Sequence, residues 1–280
     1  MKIKKGFKAY DKGLICNNFQ YEVGKEYKHE GKFKICESGF HFCENPLDVL
    51  NYYNLTECEF TEVEVLGKID KQKDSEDTKV TTNHIKIGAK LDLSAFIKCS
   101  IDFLFENIGH KTILDKTKNI LKKFSSGNSS QLASSGYSSQ LASSGSFSKL
   151  ASSGNSSKLA SSGNSSQLAS SGSFSKLASS GNSSQLASSG YSSQLASSGN
   201  SSKLASSGDY SQLEINGNNS VGANIGIKGT IKGKKGNWIT LAEYYNTYKP
   251  ICVKSIQIDG EQIKEDVWYI LKNGNFTELK

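Results

Sequence analysis

Cysteine and histidine residues lie close together between residues 36 and 43, in a spacing that could hold a metal ion. Cys36, His41 and Cys43 follow the pattern C-x4-H-x-C. On a strand, His41 and Cys43 would share one face, so Cys16 or Cys58 could complete a tetrahedral zinc site. The spacing matches no standard zinc module, and cysteine is commonly a small buried residue. We therefore predict no metal site, and zinc is the alternative, with the ligands Cys36, His41, Cys43 and Cys58.

Acidic residues on a later strand could do a different chemistry. The order GFHFCENPLDVLNYY, then FTEVEV, resembles the ADP-ribosyltransferase pattern of an aromatic strand, a helix ending in tyrosine and a later Glu-x-Glu. The resemblance implies that Glu62 or Glu64 would polarise the nicotinamide ribose, with His41 near the cofactor. The first-strand Arg or His of that family has no counterpart in KKGFKAYDKG, and E-V-E-V is also what an amphipathic strand produces. We predict no catalytic residues and keep such an enzyme as the alternative.

A strict internal repeat runs through the middle of the chain and would position the side chains on its surface. Glycine recurs every nine residues from Gly127 to Gly226, and leucine follows five places after it from Leu132 to Leu213. A flexible Gly/Ser linker has no reason to keep leucine in register, whereas a stacked coil buries each apolar residue against its neighbours. The repeat predicts a parallel β-solenoid with two nonapeptides per coil.

The orientation of the repeat follows from its charged positions. Gln or Lys stands four places after glycine, as in Gln131, Gln140, Lys149 and Lys158. Because Lys cannot sit in a thin core, strand alternation sends Leu inward with its flanking serines, and Ala outward. We expect stacked serine hydroxyls to bond along the ladder, and Gly and Asn to supply positive φ in the turn. Ten leucine-bearing units predict about five coils.

The repeat spacing is similar to that of calcium-binding nonapeptide rolls, GGxGxDxUx, but the ligands differ. That pattern needs Asp two places before the apolar residue, and this chain has serine there, as at Ser130. We therefore expect no calcium in the array, and no cofactor in the chain.

Some turns of the array carry an aromatic residue just after the glycine. With two units per coil, the even-numbered units stack on one edge, where they collect Tyr137, Phe174, Tyr191 and Tyr210, while the odd edge has only Phe147. These rings either cover the thin core or form a contact surface for a partner.

The two ends of the chain lack the repeat. Residues 1–123 predict an α+β domain with alternating strand-like runs, a helix capped by Asn45 with Pro46 at its start, and helical patterning between 92 and 123 that covers the open end of the solenoid. Residues 124–226 form the solenoid. Residues 227–280 predict a small all-β cap, with hairpins at Asp259-Gly260 and Asn273-Gly274 and with Trp238 and Trp268 in its core.

The composition of the chain restricts the kinds of partner that it could bind. The formal net charge of +7 is carried by Lys, since the chain has no Arg, and sequence-specific nucleic-acid binding is not expected because Arg makes the commonest contact to guanine. The six cysteines lack the spacing of a secreted disulfide scaffold, and no apolar run could span a bilayer. We expect a soluble cytoplasmic protein.

The chain as a whole resembles a family of uncharacterised phage and prophage proteins. The resemblance is carried by KGFKAYDKGLICNNFQYEVGKEY, CESGFHFCENPLDVLNYY, FTEVEVLGKI, the nonapeptide array and the ending GNWITLAEYY to LKNGNFTE. It implies two end domains on a rod of adjustable length and no known activity. We predict a non-enzymatic binding or structural protein that acts in the host cytoplasm, in host takeover or anti-defence. Its partner would be a host or phage protein, and a homo-oligomer is an alternative.

Overall fold

The computed structural model describes residues 4–71, 77–108, 113–115, 120–245 and 249–279. These residues divide into two compact units, Met1–Leu104 and Phe105–Lys280. The α+β N-terminal part, the β-solenoid and the small C-terminal β region are all present, which confirms the predicted fold class.

The first unit is built on a seven-stranded antiparallel sheet of order β4-β9-β6-β1-β5-β8-β7. Its strands are β1 (Lys4–Tyr10), β4 (Glu26–Lys28), β5 (Phe40–Cys43), β6 (Glu59–Val65), β7 (Ile69–Lys71), β8 (Lys79–Thr82) and β9 (His84–Leu91). A short hairpin, β2 (Ile15–Cys16) and β3 (Phe19–Gln20), lies outside this sheet. The core gathers on one face, because alternation along β6 buries Val63 and Val65 and leaves Glu62 and Glu64 half-buried on the other face.

Two helices accompany the sheet. A 3-10 helix, Pro46–Asn51, begins as predicted, with the Asn45 side chain accepting from the Leu47 N–H at 3.2 Å. Helix α1 (Leu93–Ile108) lays Phe96 flat on Phe60 of β6, with ring centroids 4.0 Å apart. The helical patterning predicted up to residue 123 is wrong beyond α1, because β10 (Ile113–Asp115) and β11 (Ile120–Ser125) follow it. Residues 109–112 and 116–119 lie outside the described residues.

The second unit is a two-sided parallel solenoid. One sheet contains β12 (Gln131–Ser134), β14 (Lys149–Ser152), β16 (Gln167–Ser170), β18 (Gln185–Ser188), β20 (Lys203–Ser206), β22 (Val221–Asn224), β24 (Trp238–Tyr245) and β25 (Lys249–Gln257). The other contains β10, β11, β13 (Gln140–Ser143), β15 (Lys158–Ser161), β17 (Lys176–Ser179), β19 (Gln194–Ser197), β21 (Gln212–Ile215), β23 (Thr230–Gly233), β26 (Tyr269–Lys272) and β27 (Asn275–Glu278).

Each strand of the array pairs with the strand eighteen residues later, so two nonapeptides make one coil, as predicted. Leu150 lies beside Leu168, and Leu168 beside Leu186, with each side chain 1% exposed. The resulting leucine column is the core of the coil. Burying one such side chain is worth about 1.5–3 kcal/mol.

The coil continues past the leucine repeat. Parallel pairing places Ile231 beside Leu213 and Ile239 beside Gly222, so the solenoid has seven strands on each side rather than five. Gly222 leaves a space in the column that the side chains of Ile215 and Ile231 fill. The predicted boundary at residue 226 therefore falls within the ladder.

The turns differ from the prediction in their backbone. Positive φ belongs to the second residue after the repeat glycine, such as Ser156 (φ 56°) and Phe174 (φ 57°), and not to the glycine or the asparagine. Glycine is required for space instead, because a Cβ on Gly172 would lie 2.1 Å from the carbonyl oxygen of Gly154 in the coil before. Asparagine side chains bond from coil to coil, as where Asn164 Oδ1 accepts from the Asn182 N–H at 2.9 Å.

Two other expectations about the array need correction. Most inward serines bond across a turn rather than along the ladder: Ser143 Oγ donates to Ser148 Oγ at 2.8 Å, and Ser148 Oγ to the Gly145 carbonyl at 2.7 Å. Bonds from coil to coil occur near the end of the array, as where Ser220 Oγ accepts from the Ser202 N–H at 3.0 Å. Gln140 and Lys158, expected in water, are each 6% exposed. Their counterparts on the other sheet, such as Lys149, are exposed as predicted.

The C-terminal region contains one of the two predicted hairpins. Strands β26 and β27 pair around Asn273-Gly274, and both turn residues have positive φ. No strands pair around Asp259-Gly260, since the Asp259 carboxylate accepts from the Glu261 and Ile263 N–H groups and closes a local turn. Trp238 is 49% exposed and does not lie in the core, because its neighbour Ile239 takes the inward position.

We expect Gly172→Ala to destabilise the solenoid by about 2 kcal/mol or more, because its methyl group would overlap the carbonyl of Gly154. The matched control is Gly127→Ala in the first coil, where the nearest atom lies 3.4 Å from the new methyl group. Urea unfolding of both variants measures the difference. Equal stability of the two variants would contradict the space requirement.

Candidate functional site

A cavity of about 520 Å³ opens in the first unit beside β1, β5 and the 3-10 helix. Its polar lining comes from Lys8, Cys16, Asn17, Cys36, His41, Cys43 and Lys79. The rest is largely aromatic: Phe7, Phe19, Tyr21, Phe40, Phe42, Tyr52 and Tyr53. Among the described residues no Asp or Glu lines this cavity, so the charged groups of the described lining are cationic.

The cavity borders the place where the central sheet is least continuous. Strands β1 and β5 pair at one position, Phe7 with Cys43. Beyond it, the Lys8 ammonium donates to the carbonyl of His41 at 3.0 Å. A side chain thus satisfies an acceptor at the strand junction, and the side chains of both strands line the opening.

Lys8 is the most unusual group in this cavity. It is 5% exposed, and burial lowers its pKa, while the neighbouring Cys16 acts in the opposite direction. Its Nζ lies 5.3 Å from the ring centroids of both Tyr10 and Tyr21, and 3.4 Å from Cys16 Sγ. The aromatic faces and the sulfur are the groups that compensate for its lost hydration.

His41 is held neutral at the cavity wall. Burial, with the nearby Lys79 and Lys8, lowers its pKa to about 4. Its Nε2 accepts from the Cys36 N–H at 2.9 Å, and Cys36 has a φ of 65°, a conformation that is uncommon outside glycine. The imidazole therefore fixes a strained loop residue and does not present a free nitrogen on that side.

The zinc alternative finds no support in this geometry. Cys36 is exposed, Cys43 is buried and Cys58 is half-buried, and Cys58 does not line the cavity. Among the described residues, no three His, Cys, Asp or Glu side chains come together in an arrangement that could hold a metal ion.

The two glutamates of the enzyme alternative lie on β6, and neither lines the cavity that contains His41. Glu62 Oε1 is 3.9 Å from Cys99 Sγ on α1. Glu64 pairs across the sheet with Lys5 and Lys86. The structure does not bring His41, Glu62 and Glu64 to one cavity.

Three of the four predicted aromatic binding residues lie together on one edge of the solenoid. Phe174 and Tyr191 have ring centroids 5.8 Å apart, and Tyr191 and Tyr210 5.2 Å. Tyr137 lies two coils before Phe174, and Phe147 lies on the opposite edge. We call Phe174, Tyr191 and Tyr210 the aromatic edge.

Sequence reasoning missed Lys8 and Tyr53, and it weighed Cys16 only as a metal ligand. One signal was available for Lys8. In the run GFKAY it alternates with Gly6 and Tyr10, so it falls on the core face of its strand, where an unpaired Lys is rare.

The low pKa of His41 predicts a titration in acid. Because the folded state favours the neutral ring, this contribution to stability is complete above pH 6.5 and is lost as the pH falls towards 4. NMR of the ring protons should give a midpoint near 4, and Lys79→Met should raise it by removing a neighbouring cation. A midpoint near 6.5 in the unaltered protein would contradict the burial of this ring.

Comparison with known proteins finds a match within the first unit. Residues 4–99 match the family model described as a domain of unknown function (DUF7666). No curated protein and no solved structure matches the chain. In the part of the chain that the structure describes, no helix is both long and apolar enough to cross a membrane.

Proposed function

We propose that the chain is a non-enzymatic binding protein whose solenoid presents the aromatic edge to a protein partner. The observation that carries this proposal is the row of three touching rings on the surface. Phe174, Tyr191 and Tyr210 are 55%, 46% and 44% exposed, so about half of each side chain faces water although the rings touch.

Stability does not account for Phe174 and Tyr210. Phe174 and Tyr210 occupy the left-handed turn position, with φ of 57° and 56°, where bulky residues are unfavourable. Ser156 and Ser192 fill the same position in neighbouring coils of the same edge with similar φ. Since serine forms this turn, an aromatic residue there adds backbone strain and exposed apolar surface without filling the core.

The rings are suited to binding because the scaffold holds them in place. Each turn is bonded to the next, as where the Phe174 N–H donates to the Tyr191 carbonyl at 2.7 Å and the Tyr210 N–H to the Ile227 carbonyl at 2.8 Å. Coils about 4.8 Å apart set the ring spacing, so little conformational entropy remains to be lost on binding. Aromatic side chains of this kind are enriched among residues that dominate protein interfaces.

The edge favours a protein partner with mixed polarity. Lys228 Nζ lies 5.3 Å from the Tyr210 ring centroid, and the Asp209 carboxylate accepts from the Ile227 N–H at 2.9 Å on the same edge. An apolar centre beside charged groups of both signs is typical of protein interfaces. That the partner is a host or phage protein engaged in host takeover or anti-defence stays a prediction, carried by the sequence resemblance.

The test is the replacement of Tyr137, Phe174, Tyr191 and Tyr210 by Ser. We expect the melting temperature to stay the same or rise slightly, because serine already forms these turns elsewhere, while partner capture is lost. Quantitative affinity capture from a lysate of the natural host, read by mass spectrometry, measures the loss. Phe147→Ser on the opposite edge is the matched control and should retain the same partner. Capture that survives the fourfold change, or a melting temperature that falls sharply, would contradict the proposal.

A further inference from the structure

We propose that Cys16 is a nucleophilic thiol in the N-terminal cavity and that it takes up a small anionic electrophile that carries a ring. The sulfur of Cys16 accepts two hydrogen bonds, from Lys8 Nζ at 3.4 Å and from the Tyr53 hydroxyl at 3.1 Å. A lysine beside the sulfur is a common feature of reactive cysteines. Cys16 is half-buried and lines the cavity, so a ligand in the cavity reaches it.

Two other cysteines of the chain have the opposite environment. Cys99 Sγ donates to Glu62 Oε1 at 3.9 Å, and Cys252 Sγ donates to Glu243 Oε2 at 3.8 Å. A carboxylate beside a thiol keeps the proton on sulfur, and burial together with Glu62 raises the pKa of Cys99. Cys16 thus has an ammonium and a phenol beside it where Cys99 and Cys252 have an acid. Cys36 is another cysteine of the cavity with an ammonium beside it, since its sulfur accepts from Lys79 Nζ at 3.6 Å.

The position of Lys8 also favours an anionic ligand. A buried ammonium is costly unless it is paired, and among the described residues no carboxylate lines this cavity. The hydrogen-bond acceptors of Lys8 are Cys16 Sγ and the neutral carbonyl of His41. An anion taken up in the cavity would therefore supply the counter-charge that the described lining lacks.

The lining defines the class of ligand. Seven aromatic side chains offer faces for stacking against a ring, and Lys79 lies in the cavity wall with its Nζ 4.4 Å from the Tyr52 ring centroid. The described lining has two lysines and no acid, which favours an anion over a cation. In the reaction, the sulfur electron pair forms a carbon–sulfur bond, and the leaving group departs with the electrons of its own bond to carbon. The thiol proton passes to water.

The experiment compares iodoacetamide and iodoacetate on the full-length protein at neutral pH. Each transfers its two-carbon group to sulfur and releases iodide, and peptide mass spectrometry over time gives the rate at each cysteine. We expect Cys16 to react with iodoacetamide at least about tenfold faster than Cys252, because the thiolate is the nucleophile. The ratio of the iodoacetate rate to the iodoacetamide rate should also be higher at Cys16, owing to the two lysines.

Variants test whether the alkylation rate of Cys16 depends on the hydrogen bonds from Lys8 and Tyr53. Tyr53→Phe and Lys8→Met should each slow alkylation of Cys16 by about threefold or more, by removing a donor to the sulfur. Lys8→Met should also abolish the preference for iodoacetate. Tyr27→Phe is the matched control, because the Tyr27 hydroxyl accepts from the Glu22 N–H and Tyr27 does not line the cavity, and it should keep the rate of the unaltered protein.

Three results would overturn the proposal. The first is alkylation of Cys16 no faster than that of Cys252. The second is an unchanged rate in Tyr53→Phe, which decides the question by itself if Lys8→Met does not fold, as judged by circular dichroism. The third is equal slowing in Tyr27→Phe and Tyr53→Phe, which would trace the effect to a general change in the first unit instead of the hydrogen bond to sulfur.

Discussion

The close approach of successive backbones at the glycine of each turn is the constraint on which the solenoid depends. From Gly145 to Gly217 a Cβ would fall within about 2 Å of the carbonyl oxygen eighteen residues earlier. No side chain fits there, so the coils stack with glycine over glycine. This contact fixes the vertical register, and the leucine column, the serine bonds across the turns and the asparagine bonds between coils all follow from it.

The first unit depends on a different constraint, the compensation of one buried charge. Lys8 lies on the core face of β1, a position where an apolar residue is usual, and several groups of the core contact its ammonium group. The rings of Tyr10 and Tyr21, the carbonyl of His41 and the sulfur of Cys16 all turn towards it. A methionine would fill the same space without these costs. The lysine instead places a positive charge in the lining of the cavity.

The sequence predicted those parts of the fold in which one local rule is repeated many times. The nine-residue period predicted the coil, and the alternation of side chains along each strand predicted the inward leucines, because every repeat follows the same rule. The role of glycine was misjudged, since crowding between coils cannot be seen in one repeat. The end of the coil was misjudged as well, since Ile231 and Ile239 continue the column without the leucine pattern. The sequence predicted only part of the cavity lining. Lys8 and Cys16 come together through tertiary packing, and no sequence motif marks this pair.

The two-unit coil also governs how such an array can change in evolution. Each nonapeptide is nearly the same as the next, so the corresponding gene segment is prone to gain or lose repeats by slippage. A gain of one unit between Phe174 and Tyr191 would move Tyr191 to the opposite edge from Phe174 and divide the row of rings, while a gain of two units would leave all three on one side. Because two units make one coil, selection that maintains this surface would favour the gain or loss of repeats in pairs.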